Sequence, residues 1–218
     1  MAQQARSEAT RWKILNAAVD LFGDVGYTSI GLGDVIERAA LTKGALYYHF
    51  DSKESLAEAI IAEASARVWN AVDAINHGPI PGMEKVIRSS FVIAGIVTGD
   101  PLARTGAQLM RALGEFNETA TQTYTGMQML ITELVKQAGA EGDLSADVDP
   151  EVVGELLIAT YLGAELLSIG TSTNDLVGRL QRAWSLLLPA IVDDAALPYF
   201  REFLQREALR APGPRADG

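Results

Sequence analysis

The sequence predicts an all-α protein of nine or ten helices, with a short N-terminal head followed by a larger C-terminal helical domain. Apolar residues recur at helical spacing along most of the 218 residues, and no alternating strand pattern persists. Residues that cap or end helices divide this pattern into segments of ordinary helix length. A composition of 48% hydrophobic and 21% charged residues is typical of a soluble globular chain.

The N-terminal head is predicted to contain three short helices. Ser7 is a suitable N-cap for the first helix, and Gly26 is expected to end it. A second helix is predicted from about Leu32 to Ala39. Thr42 is a suitable N-cap for the third helix, which we expect to run from Lys43 to about Phe50.

A long fourth helix and six further helices are predicted downstream. Asp51 has Glu54 three residues later, a capping-box spacing that predicts the start of the fourth helix. Asp100 and Asp149 each precede a proline, a pairing that is common at helix starts. Pro189 is expected to kink or shorten the ninth helix. The helices after the fourth are expected at about residues 83–98, 101–114, 117–138, 150–170, 176–191 and 196–209.

The most apolar stretch, from Val152 to Gly170, has about the length of a membrane-spanning helix. It contains Glu155 and Glu165 and has no basic flanks, so we interpret it as a buried helix of a soluble protein. The first residues are polar and contain no apolar segment of the signal-peptide kind. We therefore expect a cytoplasmic protein that does not bind a membrane.

The residue counts exclude several kinds of site. The chain has no cysteine and only two histidines, His49 and His77, so we predict no metal site, no thiolate nucleophile and no cofactor. The net charge of -10 argues against binding nucleic acid by bulk charge alone. Residues 1–53 contain six basic and six acidic side chains, however, so the whole acidic excess lies in the remainder of the chain.

The region around the third helix contains the most specific motif in the chain. Gly26-Tyr27-Thr28 is followed, from Leu41 to Leu56, by the run LTKGALYYHFDSKESL. Lys43 and Gly44 begin the helix, where free N–H groups and the positive end of the helix dipole favour a phosphate. Aromatic hydrogen-bonding side chains occupy the next turn. Lys53 lies near the start of the fourth helix, where we expect a second phosphate contact.

This motif closely resembles the N-terminal signature of TetR-family transcriptional regulators, over about residues 7–57. The resemblance implies a helix-turn-helix DNA-binding domain at 1–53 and a ligand-binding and dimerisation domain at 54–210. Residues 211–218, with two prolines and two charges of opposite sign, are predicted to form a flexible tail. The resemblance also implies a homodimeric repressor, not an enzyme, that binds double-stranded operator DNA and responds to a small diffusible apolar effector. Together with the chemistry above, it predicts these DNA-facing residues: Thr28, Thr42, Lys43, Gly44, Tyr47, Tyr48, His49 and Lys53.

Other interpretations of the head residues stay open. One of Tyr47 and Tyr48 could pack in the small core of the head, since two adjacent helix residues cannot share a face. His49 could be a surface or capping histidine. The remaining basic side chains are most simply solvated helix charges: Arg11, Lys13 and Arg38.

Two positions depart from the family pattern. Ala40 stands where the family usually has the turn glycine, and a positive φ there would cost about 1 kcal/mol. Gly31 stands where many relatives have a hydroxyl residue that caps the second helix and can reach a phosphate. We therefore expect DNA affinity to depend more on the third helix.

Residues 54–210 combine apolar helices with scattered polar side chains and contain no catalytic set, so we expect a binding cavity. The polar candidates are hydrogen-bonding side chains within otherwise apolar helices: Gln108, Arg111, Tyr124, Gln128, Thr160 and Tyr161. Each could instead be a surface residue or a satisfied core residue. Met127, with Met110 and Met129, could line an adaptable cavity wall or simply fill the core.

The helices at 152–170 and 176–191 correspond in the family to a four-helix dimer interface. The small residues that would permit close approach are Gly154, Ala159, Gly163 and Ala164. The expected anchors are Leu180, Trp184 and Leu187. The alternative is that these residues form the core of one chain.

The head and the segment from Asp143 to Asp149 are similar to the γ-butyrolactone receptor branch of the family. That similarity implies a repressor of antibiotic biosynthesis that a lactone, butenolide or furan hormone releases. A pocket tryptophan usual in those receptors is matched here by Met127, and Trp12, Trp69 and Trp184 do not replace it by position. The effector could therefore be an antibiotic, or the chain could repress an efflux or catabolic gene. A small-molecule carrier or an enzyme is the alternative from a different class.

Overall fold

A computed structural model of the chain describes residues 2–114, 118–171 and 175–211. In these residues the backbone forms ten α-helices and one 3-10 turn, Tyr27–Ser29, with no β-strand, so the all-α prediction is confirmed. The helices are α1 Ala2–Val25, α2 Leu32–Arg38, α3 Lys43–His49, α4 Lys53–Asn76, α5 Gly82–Gly99, α6 Pro101–Leu113, α7 Glu118–Glu141, α8 Pro150–Gly170, α9 Leu176–Ile191 and α10 Leu197–Arg210.

Three predicted N-caps are confirmed. Thr42 Oγ1 accepts a hydrogen bond from the backbone N–H of Ala45 at 3.2 Å. Asp100 and Asp149 each accept from the N–H two residues later, at 2.9 Å and 2.8 Å. The proline that follows each aspartate has no N–H to satisfy and has a φ suited to the first helical position. Local sequence therefore decides where α3, α6 and α8 begin.

Two predicted helix starts are wrong. α1 begins at Ala2, so Ser7 lies inside the helix, because the preceding AQQAR segment contains no helix breaker. The start of α4 is not capped by Asp51. Instead, Ser55 N–H donates to Ser52 Oγ at 3.0 Å, and Ser52 N–H donates to Ser55 Oγ at 3.2 Å. The reciprocal cap is therefore formed by Ser52 and Ser55, each one residue after the predicted pair of Asp51 and Glu54.

The other predicted bounds agree with the structure to within a few residues. α9 continues through Pro189 to its predicted end, so the proline does not shorten it. The start expected at residue 117 and the tail residues 212–218 lie outside the described residues.

The chain divides into two compact units. The first unit contains Met1–Val68 and Asp100–Gln122, and the second contains Trp69–Gly99 and Thr123–Gly218. Helix α6 therefore belongs to the same unit as α1, α2 and α3. The sequence-based boundary between residues 53 and 54 stays a prediction.

The first unit has a core formed by α1 and the short helices that follow it. Its fully buried side chains include Ile14, Leu15, Val35 and Leu46. Helix α6 packs on α1, where the Thr105 hydroxyl donates to the Val19 carbonyl oxygen at 3.4 Å. Gly106 approaches α4 so closely that a Cβ there would overlap the Ala64 side chain. These contacts attach α6 to α1 and α4.

The second unit has a core to which α5, α7, α8, α9 and α10 all contribute. Trp184 is 4% exposed and its Nε1 donates to Ser90 Oγ at 3.0 Å, and Leu180 is 2% exposed. The prediction that these two residues anchor a dimer is therefore wrong, because both are buried within one chain. Arg88 donates twice to Glu207, at 3.3 Å and 3.2 Å, and so attaches α10 to α5.

Helix α8 is only partly buried, which corrects the expectation of a buried helix. The whole helix has the length and composition of a membrane-spanning helix. One side of α8 contributes Val153 and Leu157 to the core. Its other side leaves apolar side chains exposed: Val152, Leu156, Leu166, Leu167 and Ile169. Of the small residues predicted to permit close approach, Gly154 lies against Thr132 and Ala164 is buried. Ala159 is exposed, and Gly163 adjoins open space.

Candidate nucleic-acid interface

The turn between α2 and α3 contains a residue in the left-handed region. Ala40 has a φ of 50°, its N–H donates to the Glu37 carbonyl at 3.0 Å, and the N–H of Leu41 donates to the Ile36 carbonyl at 3.1 Å. This is a Schellman arrangement, which favours glycine at the left-handed position. The positive φ considered for this turn is therefore present. An alanine in this conformation destabilises the turn by about 1 kcal/mol relative to glycine.

Helix α2 begins without a side-chain cap from Gly31. Asp34 Oδ2 accepts from the Gly31 N–H at 2.7 Å, so an acidic side chain satisfies this donor from within the helix. The carboxylate places negative charge beside the start of α2 and disfavours a phosphate there. This agrees with the expectation that DNA affinity depends more on α3.

Helix α3 presents its tyrosines outward. Leu46 is fully buried and Phe50 is 4% exposed, and these two side chains, four residues apart, occupy the inward face. Tyr47 is 45% exposed and Tyr48 is 78% exposed. The alternative in which one tyrosine fills the core of the head is therefore wrong, because the leucine and phenylalanine already fill it.

Aromatic rings and a cation lie close together on the outer surface of α3. Lys43 Nζ is 5.6 Å from the centroid of the Tyr47 ring, and the rings of Tyr48 and His49 meet edge to face with centroids 5.0 Å apart. These separations suit cation–π and aromatic contacts. Gly44 has open space where a side chain would stand, so the backbone there is accessible.

Lys53 connects the start of α4 to the 3-10 turn. Its Nζ lies 3.5 Å from the Thr28 carbonyl oxygen and 4.1 Å from the centroid of the Tyr27 ring. Burial, together with the nearby Glu54 and Glu58, raises the pKa of Tyr27, so its ring remains a neutral phenol beside the ammonium group. Tyr27 was not predicted as part of this surface, and the only signal for it was its place beside Thr28 in the motif.

The remaining basic side chains of the head differ from one another. Lys13 is exposed, and Arg38 forms an exposed ion pair with Asp20 at 3.0 Å, as expected of solvated charges. Arg11 instead donates to Glu63 Oε1 at 2.9 Å, and the two side chains are only 28% and 30% exposed. The interpretation of Arg11 as a solvated charge is therefore wrong, because this residue attaches α1 to α4.

The predicted effector contacts lie in both units. The two on α6, in the first unit, are half-buried: Gln108 and Arg111. Those in the second unit lie on α7 and α8 and are half-buried, apart from an exposed Gln128: Tyr124, Met127, Gln128, Thr160 and Tyr161. Of the other two methionines, Met110 is 8% exposed and Met129 is 70% exposed. Met129 therefore does not line an interior wall within one chain.

The Trp69 side chain lies against Gly126 of α7, the residue before Met127. Trp69, on α4, places its Cζ2 atom 3.3 Å from where a Cβ would stand on Gly126. The indole can approach α7 this closely because residue 126 has no side chain. An aromatic ring therefore reaches this part of α7 from a different helix.

Helices α8 and α9 pack against each other, and both expose apolar side chains. We call the surface that these side chains form the apolar face and define it by Val152, Leu156, Leu166, Leu167, Ile169 and Leu186. Leu186 is 80% exposed and Leu166 is 60% exposed. Exposed apolar side chains grouped in this way are typical of a protein interface.

Comparison with known proteins gives two family matches. The model for bacterial regulatory proteins of the tetR family matches residues 14–60, and the model for the tetracyclin repressor-like C-terminal domain matches residues 80–193. The A-factor receptor protein of Streptomyces griseus is 29% identical over 203 residues, which cover 92% of this chain and 70% of that protein. The regulator UidR of Escherichia coli is 30% identical over 167 residues, which cover 73% of this chain and 82% of UidR.

Solved structures with the same fold include receptors and a DNA complex. A crystal structure of an ArpA-like γ-butyrolactone receptor has a TM-score of 0.82 at 27% identity and covers 94% of this chain and 99% of that one. The TetR family protein CprB of Streptomyces coelicolor, in complex with its biological operator sequence, has a TM-score of 0.79 at 27% identity, with the same two coverages of 94% and 99%.

Proposed function

The chain belongs to the TetR family of bacterial regulatory proteins, and on that premise we propose that its effector is a small γ-butyrolactone, butenolide or furan signalling molecule. The chain is a TetR-type DNA-binding transcriptional repressor and not an enzyme. We propose that it acts in the cytoplasm, binds a near-palindromic operator as a homodimer and controls antibiotic biosynthesis until the effector releases it. The outward lysine and tyrosine face of α3 is the observation on which this proposal depends.

The proposed DNA surface consists of residues on α3, at the start of α4 and on the 3-10 turn. Its two exposed or half-exposed ammonium groups, Lys43 and Lys53, contact phosphates, and the tyrosine rings of α3 reach the edges of bases. The proposed contact residues are Thr28, Thr42, Lys43, Gly44, Tyr47, Tyr48, His49 and Lys53. A dimer would place its two α3 helices in successive major grooves, about 34 Å apart.

The proposed dimer interface is the apolar face. A second copy of the same chain can cover the exposed leucines of α8 and α9 in a symmetric, self-complementary contact. Leu187, which is half-buried, and the accessible Ala159 and Gly163 are the predicted interface residues that remain available for this contact.

The proposed effector contacts in the second unit are side chains of α7 and α8: Tyr124, Met127, Gln128, Thr160 and Tyr161. Gln108 and Arg111, on α6, stay predictions from the sequence. Effector binding favours a dimer whose two α3 helices no longer match adjacent grooves. To convert a mostly bound repressor into a mostly free one requires roughly 5.5 kcal/mol of differential affinity between the two states.

A gel-shift titration on the DNA upstream of the protein's own gene tests the repressor proposal. We expect that DNA to bind more tightly than a random duplex of equal length, and an alkyl-substituted γ-butyrolactone to release it. The matched variants are Lys43→Ala, which should lose the operator complex, and Lys13→Ala, which changes an exposed lysine outside the proposed surface and should keep it. Equal binding to upstream and random DNA would contradict the proposal.

A second candidate is a repressor of an efflux or catabolic gene that responds to an antibiotic or another apolar compound. Met127, at the place where the resembling receptors have a tryptophan, favours this alternative because it changes the shape of the predicted effector contact. Release of the operator complex by an apolar antibiotic, and not by a lactone, butenolide or furan, would establish it.

A further inference from the structure

A buried serine hydroxyl in the second unit has no hydrogen-bond partner among the residues that the structure describes. Ser89, on α5, is 6% exposed, and its Oγ atom is the unsatisfied group. Other hydroxyls on this helix donate to backbone carbonyls, Ser90 to Ile87 and Thr98 to Ala94, each at 2.7 Å. Helices commonly satisfy serine hydroxyls in this way, so Ser89 departs from the local pattern.

A hydroxyl that is buried without a partner is costly, by about 1–3 kcal/mol. Native structures contain few such groups, and each one calls for an explanation, such as an ordered water, an ion or a functional role. The Ser89 hydroxyl makes no hydrogen bond within the described residues, whereas the neighbouring Ser90 hydroxyl accepts from Trp184 Nε1 and links α5 to α9. Recognition of a bound molecule is a role that the free hydroxyl can serve.

The Ser89 side of α5 faces α7. Lys85, one turn earlier on the same side, places Nζ 3.4 Å from Gln137 Oε1 of α7. Gly82, at the start of this same stripe, adjoins the α7 backbone, where a Cβ would lie 2.6 Å from the Ala138 nitrogen. Helix α7 also bears Gly126, against which the Trp69 indole lies. The Ser89 hydroxyl is therefore on the side of α5 that meets α7 near Gln137 and Ala138.

The same side of α5 continues with apolar residues that are outside the packed core. Ile93 and Ile96 follow Ser89 at helical spacing, and both are half-buried. Among the described residues, neither belongs to the core cluster of the second unit, to which the opposite side of α5 contributes Ile87 and Phe91. The Ser89 hydroxyl, and one turn earlier the Lys85 ammonium that donates to Gln137, adjoin these partly covered isoleucines. Ligand sites commonly combine apolar side chains with a few polar groups in this way.

We propose that Ser89 is the hydrogen-bond donor that recognises the carbonyl oxygen of a lactone effector. The inference rests on the proposed function and identifies a side chain that distinguishes effector classes. A γ-butyrolactone or a butenolide has an ester carbonyl that accepts well, whereas the ring oxygen of a simple furan accepts poorly. The hydroxyl donates to the carbonyl, and the isoleucines contact the alkyl chain.

The test compares Ser89→Ala with Ser90→Ala in the full-length protein. Calorimetry with an alkyl-substituted γ-butyrolactone and with an alkyl-substituted furan measures affinity, and thermal unfolding without ligand measures stability. We expect Ser89→Ala to bind the lactone about tenfold more weakly, to bind the furan as the unchanged protein does, and to unfold at an equal or higher temperature. Ser90→Ala, which loses the bond from Trp184, should unfold at a lower temperature and keep its lactone affinity.

Three outcomes would overturn the inference. Unchanged lactone affinity in Ser89→Ala, and in the nearly isosteric weak donor Ser89→Cys, would show that the hydroxyl does not contact the ligand. A fall in unfolding temperature as large as that of Ser90→Ala would show that the hydroxyl is used by the fold. If the unchanged protein binds no lactone, the effector class proposed above fails, and the role of Ser89 fails with it.

Discussion

The alanine in the turn before α3 adopts a backbone conformation that glycine adopts at little cost. Replacing Ala40, whose φ is 50°, with glycine removes this strain but adds freedom to the unfolded chain. We expect Ala40→Gly to raise the free energy of unfolding by about 0.5 kcal/mol, measured by urea denaturation. Ala39→Gly is the control: its φ of -76° suits alanine, so the change should destabilise the protein. A loss of stability in Ala40→Gly would contradict this account of the turn.

Adjacent residues of α3 should separate folding from DNA binding. Leu46 is fully buried, so Leu46→Ala should lower the free energy of unfolding by about 3 kcal/mol. Tyr47 is 45% exposed, so the Tyr47→Ala variant should lose operator binding but keep its helical content and its dimerisation. Circular dichroism, sedimentation and gel shift on the same samples measure these effects. Unfolding of Tyr47→Ala would show that its ring serves the core.

Residue-level features were predictable where they depend on neighbours in sequence. Thr42 caps α3 because its hydroxyl reaches an N–H three residues later, and this needs no knowledge of the fold. Contacts between distant residues were not predictable in this way. Arg11 pairs with Glu63, 52 residues away, and the Trp69 indole lies against Gly126 on a different helix. No periodic pattern in a single sequence specifies such pairs.

At the scale of elements, the lengths of the helices were predictable from the sequence. Which side of a helix enters the core was not always predictable. The bounds of α8 follow from its cap at Asp149 and its apolar run to Gly170. Because α8 is apolar on nearly all sides, its periodicity does not indicate which side enters the core of its own chain. The same ambiguity led to Leu180 and Trp184 of α9 being predicted as dimer anchors, although both lie in the core.

Charge placed on the apolar face should prevent dimerisation without unfolding the chain. Leu166 and Leu186 are 60% and 80% exposed, so Leu166→Glu or Leu186→Glu adds a carboxylate that water solvates in the monomer but that a dimer would bury. We expect sedimentation velocity to show monomers and gel shifts to show weaker operator binding. Leu209→Glu is the matched control, because Leu209 is 87% exposed on α10 outside the apolar face. Dimers that persist in both variants would place the interface elsewhere.

At the scale of the whole molecule, the order of helices along the chain does not give the composition of the compact units. Helix α6 follows α5 directly, yet it belongs to the unit that contains the head. Its Thr105 hydroxyl bonds to α1 and its Gly106 contacts Ala64 of α4. A glycine and a threonine within a helix give no sequence signal of this kind, since both are equally compatible with a surface position. The predicted fold class was therefore correct without indicating how the helices are grouped.

The charge distribution of the whole chain predicts a weak dependence of operator binding on salt. The chain has a net charge of -10, and its proposed DNA surface contains two cations that face phosphate, Lys43 and Lys53. A dimer that neutralises four phosphates should give a slope of about -4 for the logarithm of affinity against the logarithm of salt concentration. Lys53→Ala removes one contact in each protomer, so its slope should be about -2. Fluorescence anisotropy over a salt series measures both, with Lys13→Ala as the control whose slope should not change. A slope of about -8 or an unchanged slope in Lys53→Ala would contradict this surface, because binding would then depend on cations that α3 and the start of α4 do not supply.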